Sequence, residues 1–239
     1  MKTMPYTLDK DDHTAPPMGL IVLQTDETIE PEFRSHFADH RSPIYVTRIR
    51  SGAEVTHETL SSMQTDLTEA ADLLPKARPY PVVGYGCTSA SSVIGSEKVE
   101  ALVQRGCDAR VVTNPLRAAL SCAASHGISR LALLSPYIEE VNEPLRKAFA
   151  KGGVSMDVFG SFGESEESKV VRISEASVVD AATRLGQSGD VEGVFLSCTN
   201  LRTIRAIPAI ESAIGKPVLS SNQSLAWHMR KLAAENENP

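Results

Sequence analysis

Two cysteines in this chain sit in near-copies of one short motif. Gly86-Cys87-Thr88-Ser89 and Ser197-Cys198-Thr199-Asn200 each follow an apolar run, and each places a threonine directly after the thiol. A thiol at such a point can take a proton from carbon or add to a double bond. Its unperturbed pKa of about 8.5 is readily lowered by helix N-termini and hydrogen-bond donors. Two thiols on either side of one carbon would remove a proton from one face and deliver one to the other, which is racemisation without a cofactor. Alternatively, one thiolate adds to an alkene, permits rotation about the new single bond, and leaves again. Backbone amides at these turns, with Thr88, Ser89, Thr199 and Asn200, would hold a substrate carboxylate and stabilise an enediolate-like intermediate. The plainer alternative is that the thiols merely pack, as free cysteines commonly do. That alternative is accepted for Cys107 and Cys122, which have no polar company in the sequence.

Other chemistries find no support. Gly84-Tyr85-Gly86-Cys87-Thr88-Ser89 lacks the third glycine of a dinucleotide fingerprint. A C-x5-R phosphatase loop starting at Cys87 would need arginine where Val93 stands. Gly160-Ser161-Phe162-Gly163 is not a G-x-S-x-G nucleophile elbow, and no phosphate-binding loop occurs. No cysteines pair as C-x-x-C and no H-E-x-x-H motif is present, so no metal is expected.

Apolar runs alternating with helical patterns position these motifs. Gly19-Leu20-Ile21-Val22-Leu23 reads as a buried parallel strand, followed by Ile44-Tyr45-Val46 and by a helix near Glu58 to Leu74. Val82-Val83-Gly84-Tyr85 is the third strand. Ser96 to Arg105 is a helix with Ser96 as its N-cap, and Val111-Val112 is the fourth strand. A helix from Pro115 to His126 opens on proline. The series then restarts. Leu131-Ala132-Leu133-Leu134, Val154 to Val158, Val194-Phe195-Leu196 and Val218-Leu219 are the second set of strands, and a last helix spans about Ser224 to Leu232.

The difference 198 − 87 gives an offset of 111 residues, which carries Leu20 onto Leu131, Val83 onto Val194, Thr88 onto Thr199 and Val99 onto Ile210. That gapless register reads as an internal duplication. Alternating strands and helices imply parallel sheets with right-handed crossovers, whose ligands bind at the carboxyl ends of the strands. If the halves pack about a pseudo-twofold axis, Cys87 and Cys198 face each other across a cleft. The expected lobes are 1–113 with a C-terminal helix 222–239, and 114–221. The loop from Ser161 to Ser168, rich in Gly, Ser and Glu, is a candidate mobile cover, or simply a solvated loop.

Composition narrows the partners. The net charge is −6 with no basic stripe, which argues against nucleic acid. No apolar run is long enough to cross a bilayer. Met1 to Pro17 has no apolar core of a signal peptide and reads as a polar tail. Free cysteines in such a chain suggest a reducing cytoplasm. The expected ligand is a small carboxylate or amino acid, and a homo-oligomer is possible.

The two cysteine motifs, with Ser135-Pro136-Tyr137-Ile138-Glu139-Glu140-Val141-Asn142, resemble the aspartate/glutamate racemase superfamily, and within it the maleate cis–trans isomerase and arylmalonate decarboxylase branch. The resemblance runs from about Gly19 to Trp227. It implies two Rossmann-like α/β lobes, each a four-stranded parallel sheet flanked by helices, with the active site between them and no cofactor. It implies that Cys87 and Cys198 are the first and second catalytic cysteines. Decarboxylases of the branch keep only the second, so Cys87 argues for isomerase chemistry. Tyr137 matches a tyrosine that donates to a substrate carboxylate, and Thr88 and Ser89 match a carboxylate cradle. Where maleate isomerases carry a carboxylate-binding asparagine after the first strand, this chain has Asp26. A carboxylate there repels maleate and suits an ammonium group, unless Asp26 only caps the next helix. The run from Gly19 to Glu30 looks closest to the ectoine-utilisation protein A group, which implies a role in ectoine or hydroxyectoine breakdown. Maleate isomerisation and a non-catalytic metabolite sensor are the alternatives.

Overall fold

The computed structural model describes residues 1–8 and 15–237, with side-chain surroundings through residue 235. Residues 1–8 form no helix or strand and are exposed; the tail expected up to Pro17 otherwise falls partly on 9–14, outside the described residues. The first sheet is built from β1 (Met18–Leu23), β2 (Ile44–Ile49), β3 (Tyr80–Gly86) and β4 (Ala109–Thr113), in the order β2-β1-β3-β4 with all pairs parallel. The second holds β5 (Leu131–Ser135), β6 (Phe159–Ser161), β7 (Gly193–Leu196) and β8 (Val218–Ser220), in the order β6-β5-β7-β8, again parallel. The two halves therefore repeat one topology, as the 111-residue offset suggests.

Continuous apolar strands arise because both faces of each sheet are covered. In β1, Leu20 and Val22 face α1 (Ile29–His36) and α11 (Ser221–Glu237), packing with Ile29, Phe33, Leu225 and Met229. Ile21 and Leu23 face the other way, into an apolar cluster that also takes in Ala132 and Leu134 of β5 and Val194 and Leu196 of β7. The outer face of β5 (Leu131, Leu133) packs with Phe149 of α7 (Glu139–Lys151) and Leu116 and Ala119 of α6 (Pro115–Ser125). Asn114 caps α6, its side chain accepting from the Arg117 amide, with Pro115 at the first helical position.

Four local expectations are corrected. The single helix of 58–74 is broken into α2 (His57–Ser62), a 3₁₀ turn over Met63–Thr65, and α3 (Leu67–Asp72). Ser96 is the first residue of α5 (Ser96–Gly106), not its cap; Gly95 precedes it at φ 92°, and the Ser96 hydroxyl bonds Asn114 Oδ1. The second strand of the second half is Phe159–Ser161; of the expected 154–158, Ser155 makes only an isolated parallel bridge to Arg130, while Val154 and Met156 turn into the core. The last helix starts at Ser221, directly after β8. The remaining elements are α4 (Thr88–Ile94), α8 (Glu167–Val170), α9 (Glu175–Gly186) and α10 (Ala206–Ile214).

A buried carboxylate stitches the halves together. Glu32 of α1 accepts from the Thr203 and Ile204 amides at 2.6 and 3.1 Å, from the Thr203 hydroxyl, and from Asn222 Nδ2 at 2.8 Å. Glu32→Ala strands these donors in the interior, at a cost of 1–3 kcal/mol for each that water fails to reach. The expected loss is about 3 kcal/mol of unfolding free energy in urea; a loss below about 1 kcal/mol would show that water replaces the carboxylate.

Candidate active site

Cys87 closes β3 and opens α4. Its sulfur accepts from the Ala90 amide at 3.4 Å, so the thiol is the helix's own N-cap. Gly86, just before it, lies flush against the first strand: a Cβ there would fall 2.7 Å from Ile29 Cδ1 and 3.2 Å from the Ile21 carbonyl. Cys198 follows β7 in a tight turn with φ 114°, a region L-residues rarely adopt, and its sulfur accepts from the Asn200 amide at 3.2 Å. The backbone strain there is of order 1–3 kcal/mol. Cys198→Gly is accordingly expected to be more stable than Cys198→Ala by about 1 kcal/mol in thermal unfolding. Equal stabilities would show that the turn is unstrained.

Three contacts bolt the two strand ends together. Ser221, at the start of α11, accepts from the Cys198 amide at 3.1 Å and shares a hydrogen bond of 2.8 Å with the Thr88 hydroxyl. The Thr199 hydroxyl donates to the Gly86 carbonyl at 3.3 Å. As a result both thiols, 5% and 3% exposed, line one cavity with Thr88, Ser89, Tyr137 and Thr199. Its volume is about 20 Å³, room for roughly one water.

The cavity is roofed by two chain segments. Ser51, Gly52, Glu54 and Val55, between β2 and α2, form one side, with Thr59, Leu60 and Met63 behind them. The Val55 amide donates to the Ser165 carbonyl at 2.9 Å and the Glu167 amide to the Ala53 carbonyl at 3.0 Å, with an antiparallel bridge between Glu54 and Glu166. Part of the loop 161–168 thus closes the site by pairing with 53–55.

A polar chain runs from Cys198 across the cavity wall. Tyr137 Oη lies 2.9 Å from Cys198 Sγ and donates to Glu167 Oε1 at 2.6 Å. Glu167 Oε2 accepts from Asn200 Nδ2 at 2.7 Å, and Asn200 Oδ1 accepts from the Glu27 amide at 2.9 Å. Asn142 Nδ2 and the Ser161 hydroxyl both donate to the Tyr137 carbonyl and hold the tyrosine's backbone.

Burial, not lowering by helix amides, dominates the electrostatics of this closed site. It pushes the Cys87 thiol up to about 12; the Ala90 amide works against this, while the Glu167 and Asp26 carboxyls add to it. Cys198 is likewise raised, first by burial and then by Glu167. Glu167 is raised by burial, with the Tyr137 and Asn200 bonds opposing and Asp26 adding. Asp26 is raised by burial against the Ile29 and Thr28 amides. The expectation of thiols poised below their ordinary range is therefore corrected: burial raises both.

Of the residues singled out in the sequence, Cys87, Thr88, Ser89, Tyr137, Cys198 and Thr199 line the cavity, whereas Asp26 and Asn200 stand behind its wall. Asp26 Oδ1 caps α1, accepting from the Thr28 and Ile29 amides at 2.8 Å each, and Oδ2 is buried with no hydrogen-bond partner among the described residues. Asn200 anchors Glu167. Glu167, Ser221 and the roof residues are additions. Ser221 lies just past the carboxyl end of β8, where the strand-end rule would have found it. Cys107 and Cys122 are buried in the apolar clusters. His36 and His40 have the four-residue spacing of a metal-binding helix. However, α1 ends at His36, and His40 Nδ1 accepts from the Ser42 amide. Among the described residues no three His, Cys, Asp or Glu side chains gather as a metal site, and no helix is long and apolar enough to cross a membrane.

Known proteins share this architecture. The family model described as arylmalonate decarboxylase (Amdase) matches residues 18–239. The arylmalonate decarboxylase of Bordetella bronchiseptica is 34% identical over 108 residues, which span 45% of each chain. The maleate isomerase of Geobacillus stearothermophilus is 23% identical over 228 residues, covering 90% of both. Among solved structures, a Cys-to-Ser variant of the Nocardia farcinica maleate cis–trans isomerase, with a covalently bound succinylcysteine intermediate, superposes with a TM-score of 0.82 at 21% identity. It covers 92% of this chain and 93% of the other. The maleate isomerase of Pseudomonas putida S16 gives 0.82 at 22%, covering 93% of each. With the fold and the extent of the match in agreement, the chain belongs to the arylmalonate decarboxylase family.

Proposed function

We propose that this protein is a cofactor-independent isomerase, a racemase, epimerase or cis–trans isomerase, that uses Cys87 and Cys198 on a small amino-carboxylate. The observation that carries this reading is the convergence of two thiols from different sheets on one cavity. One thiol, once ionised, takes the proton while the other delivers one, and neither step needs a group from outside the chain. Thr88, Ser89 and Thr199 line the space where a carboxylate would sit, and Tyr137 stands against Cys198 to stabilise developing negative charge. Closure of the roof excludes water from the carbanion-like intermediate.

The charge around the cavity supports an ammonium-bearing substrate. Asp26 and Glu167 are both buried within electrostatic reach of both sulfurs, and no Lys, Arg or His lines the cavity. A dicarboxylate would meet Glu167, with Asp26 behind the wall, and no base; an amino acid brings its own counter-charge. Together with the likeness of the Gly19–Glu30 run to the ectoine-utilisation group, this favours a diaminobutyrate-type intermediate of ectoine or hydroxyectoine breakdown over maleate. The test is a panel of small amino and dicarboxylic acids incubated with the protein in D2O. Solvent deuterium appearing at the α-carbon of an amino acid is the expected result. Binding without exchange across the panel would instead make the protein a sensor.

A further inference from the structure

The contacts of Tyr137 contain a constraint that the proposed reaction does not yet use. A phenol carries one hydrogen, yet Tyr137 Oη is within hydrogen-bond distance of both Glu167 Oε1 (2.6 Å) and Cys198 Sγ (2.9 Å). One contact must therefore be donated and the other accepted. Asn200 settles the rest. Its Oδ1 takes the Glu27 amide hydrogen, so its Nδ2 faces Glu167 Oε2 as a donor. Oε2 can only accept, and any proton on Glu167 must sit on Oε1, facing Tyr137.

With one proton shared between Glu167 and Cys198, two arrangements satisfy every contact. In the first, Glu167 is a carboxylate, Tyr137 donates to it, and the Cys198 thiol donates its S–H to Tyr137 Oη. In the second, Glu167 is a carboxylic acid donating from Oε1 to Tyr137, and Tyr137 donates to a Cys198 thiolate that also accepts from the Asn200 amide at 3.2 Å. We propose that Glu167 is the proton reservoir of Cys198, exchanging one proton with it through Tyr137. The S–H and Oη–H bonds break as new Oη–H and Oε1–H bonds form; the total charge is unchanged, the negative charge passing from the carboxylate to the sulfur, and no co-reactant is needed. This rests on the reading of Cys198 as a reacting thiol and supplies what that reading lacks, a place for its proton.

The surroundings leave few rivals. Facing Glu167 are Tyr137, Cys198, Cys87 and Asp26. On its own helix turn, Glu166 pairs with Lys169 at the surface, and Glu54 bridges to Glu166. No basic side chain lines the cavity, and the Asp26 carboxyl is held by the Thr28 and Ile29 amides rather than by Tyr137. Burial, which raises Glu167, suits it to accept a proton. Because it acts through Tyr137, Glu167 is a positioning residue.

The test reads the thiol itself, without substrate. Alkylation of Cys198 by iodoacetamide is followed by mass spectrometry against pH in the Cys87→Ser background, with Glu167→Gln or Tyr137→Phe added. A thiol sharing a proton with a carboxylate titrates as a coupled pair. Its reactivity should rise once as Glu167 ionises, hold a plateau, and rise again. A lone thiol rises about tenfold per pH unit with no plateau until it is fully ionised. The plateau is expected in the parent and lost in both variants, each checked for folding by circular dichroism. Its absence in the parent, or its persistence in either folded variant, overturns the proposal. Failure of every substrate in the D2O panel would defeat the isomerase reading and leave this profile untouched.

Discussion

Cys87→Ser and Cys198→Ser should each lower turnover by about a thousandfold, within the range assigned to a positioned acid or base. Serine is nearly isosteric, and its oxygen can still accept from the Ala90 or Asn200 amide that now holds each sulfur. The fold should therefore survive, with secondary structure and melting temperature close to the parent. What is lost is acidity, since an alcohol in a cavity this buried does not ionise at neutral pH, and proton transfer on one face of the substrate stops. Because both thiols serve one reaction, the double variant should be little worse than either single one. The rate is followed by the deuterium exchange that identifies the substrate. Near-parent activity in either single variant would remove that cysteine from the mechanism.

The second large effect is discrimination by charge. Like charges brought together in a closed site cost several kcal/mol, so kcat/KM for an α-amino acid should exceed that for maleate by roughly a hundredfold or more. Asp26→Asn should narrow the gap. The amide keeps an oxygen for the Thr28 and Ile29 caps and replaces the unpartnered Oδ2 with a donor. The expected signature is a better kcat/KM for the dicarboxylate, a worse one for the amino acid, and unchanged stability. Equal use of maleate and amino acid by the parent protein would contradict the role given to the acid pair.

Much of this architecture was readable in the chain because it depends on short-range pattern. Continuous apolar runs mark strands covered on both faces, and the repeated Cys-Thr turn marks the ends of β3 and β7, where such sheets place their ligands. Boundaries were less legible. Val154 and Met156 look like strand residues but act as core plugs, and the pattern over 58–74 does not reveal its break at Met63. Glu167 was unreadable for a different reason. It lies in a polar stretch at the start of the short α8, and only the pairing of 165–167 with 53–55, distant in sequence, turns it into the cavity. The direction of the thiol shifts is not legible for the same cause: an amide donor at a strand end is local, whereas the roof that buries the sulfurs is not.

Deuterium placement during the first turnover in D2O is the most direct test that two groups flank one carbon. With a thiol on each face, product formed early should carry one solvent deuteron at the reacting carbon while recovered substrate carries none. Equal labelling of substrate and product from the outset, or transfer of the substrate's own proton into product, would mean that a single base serves both faces.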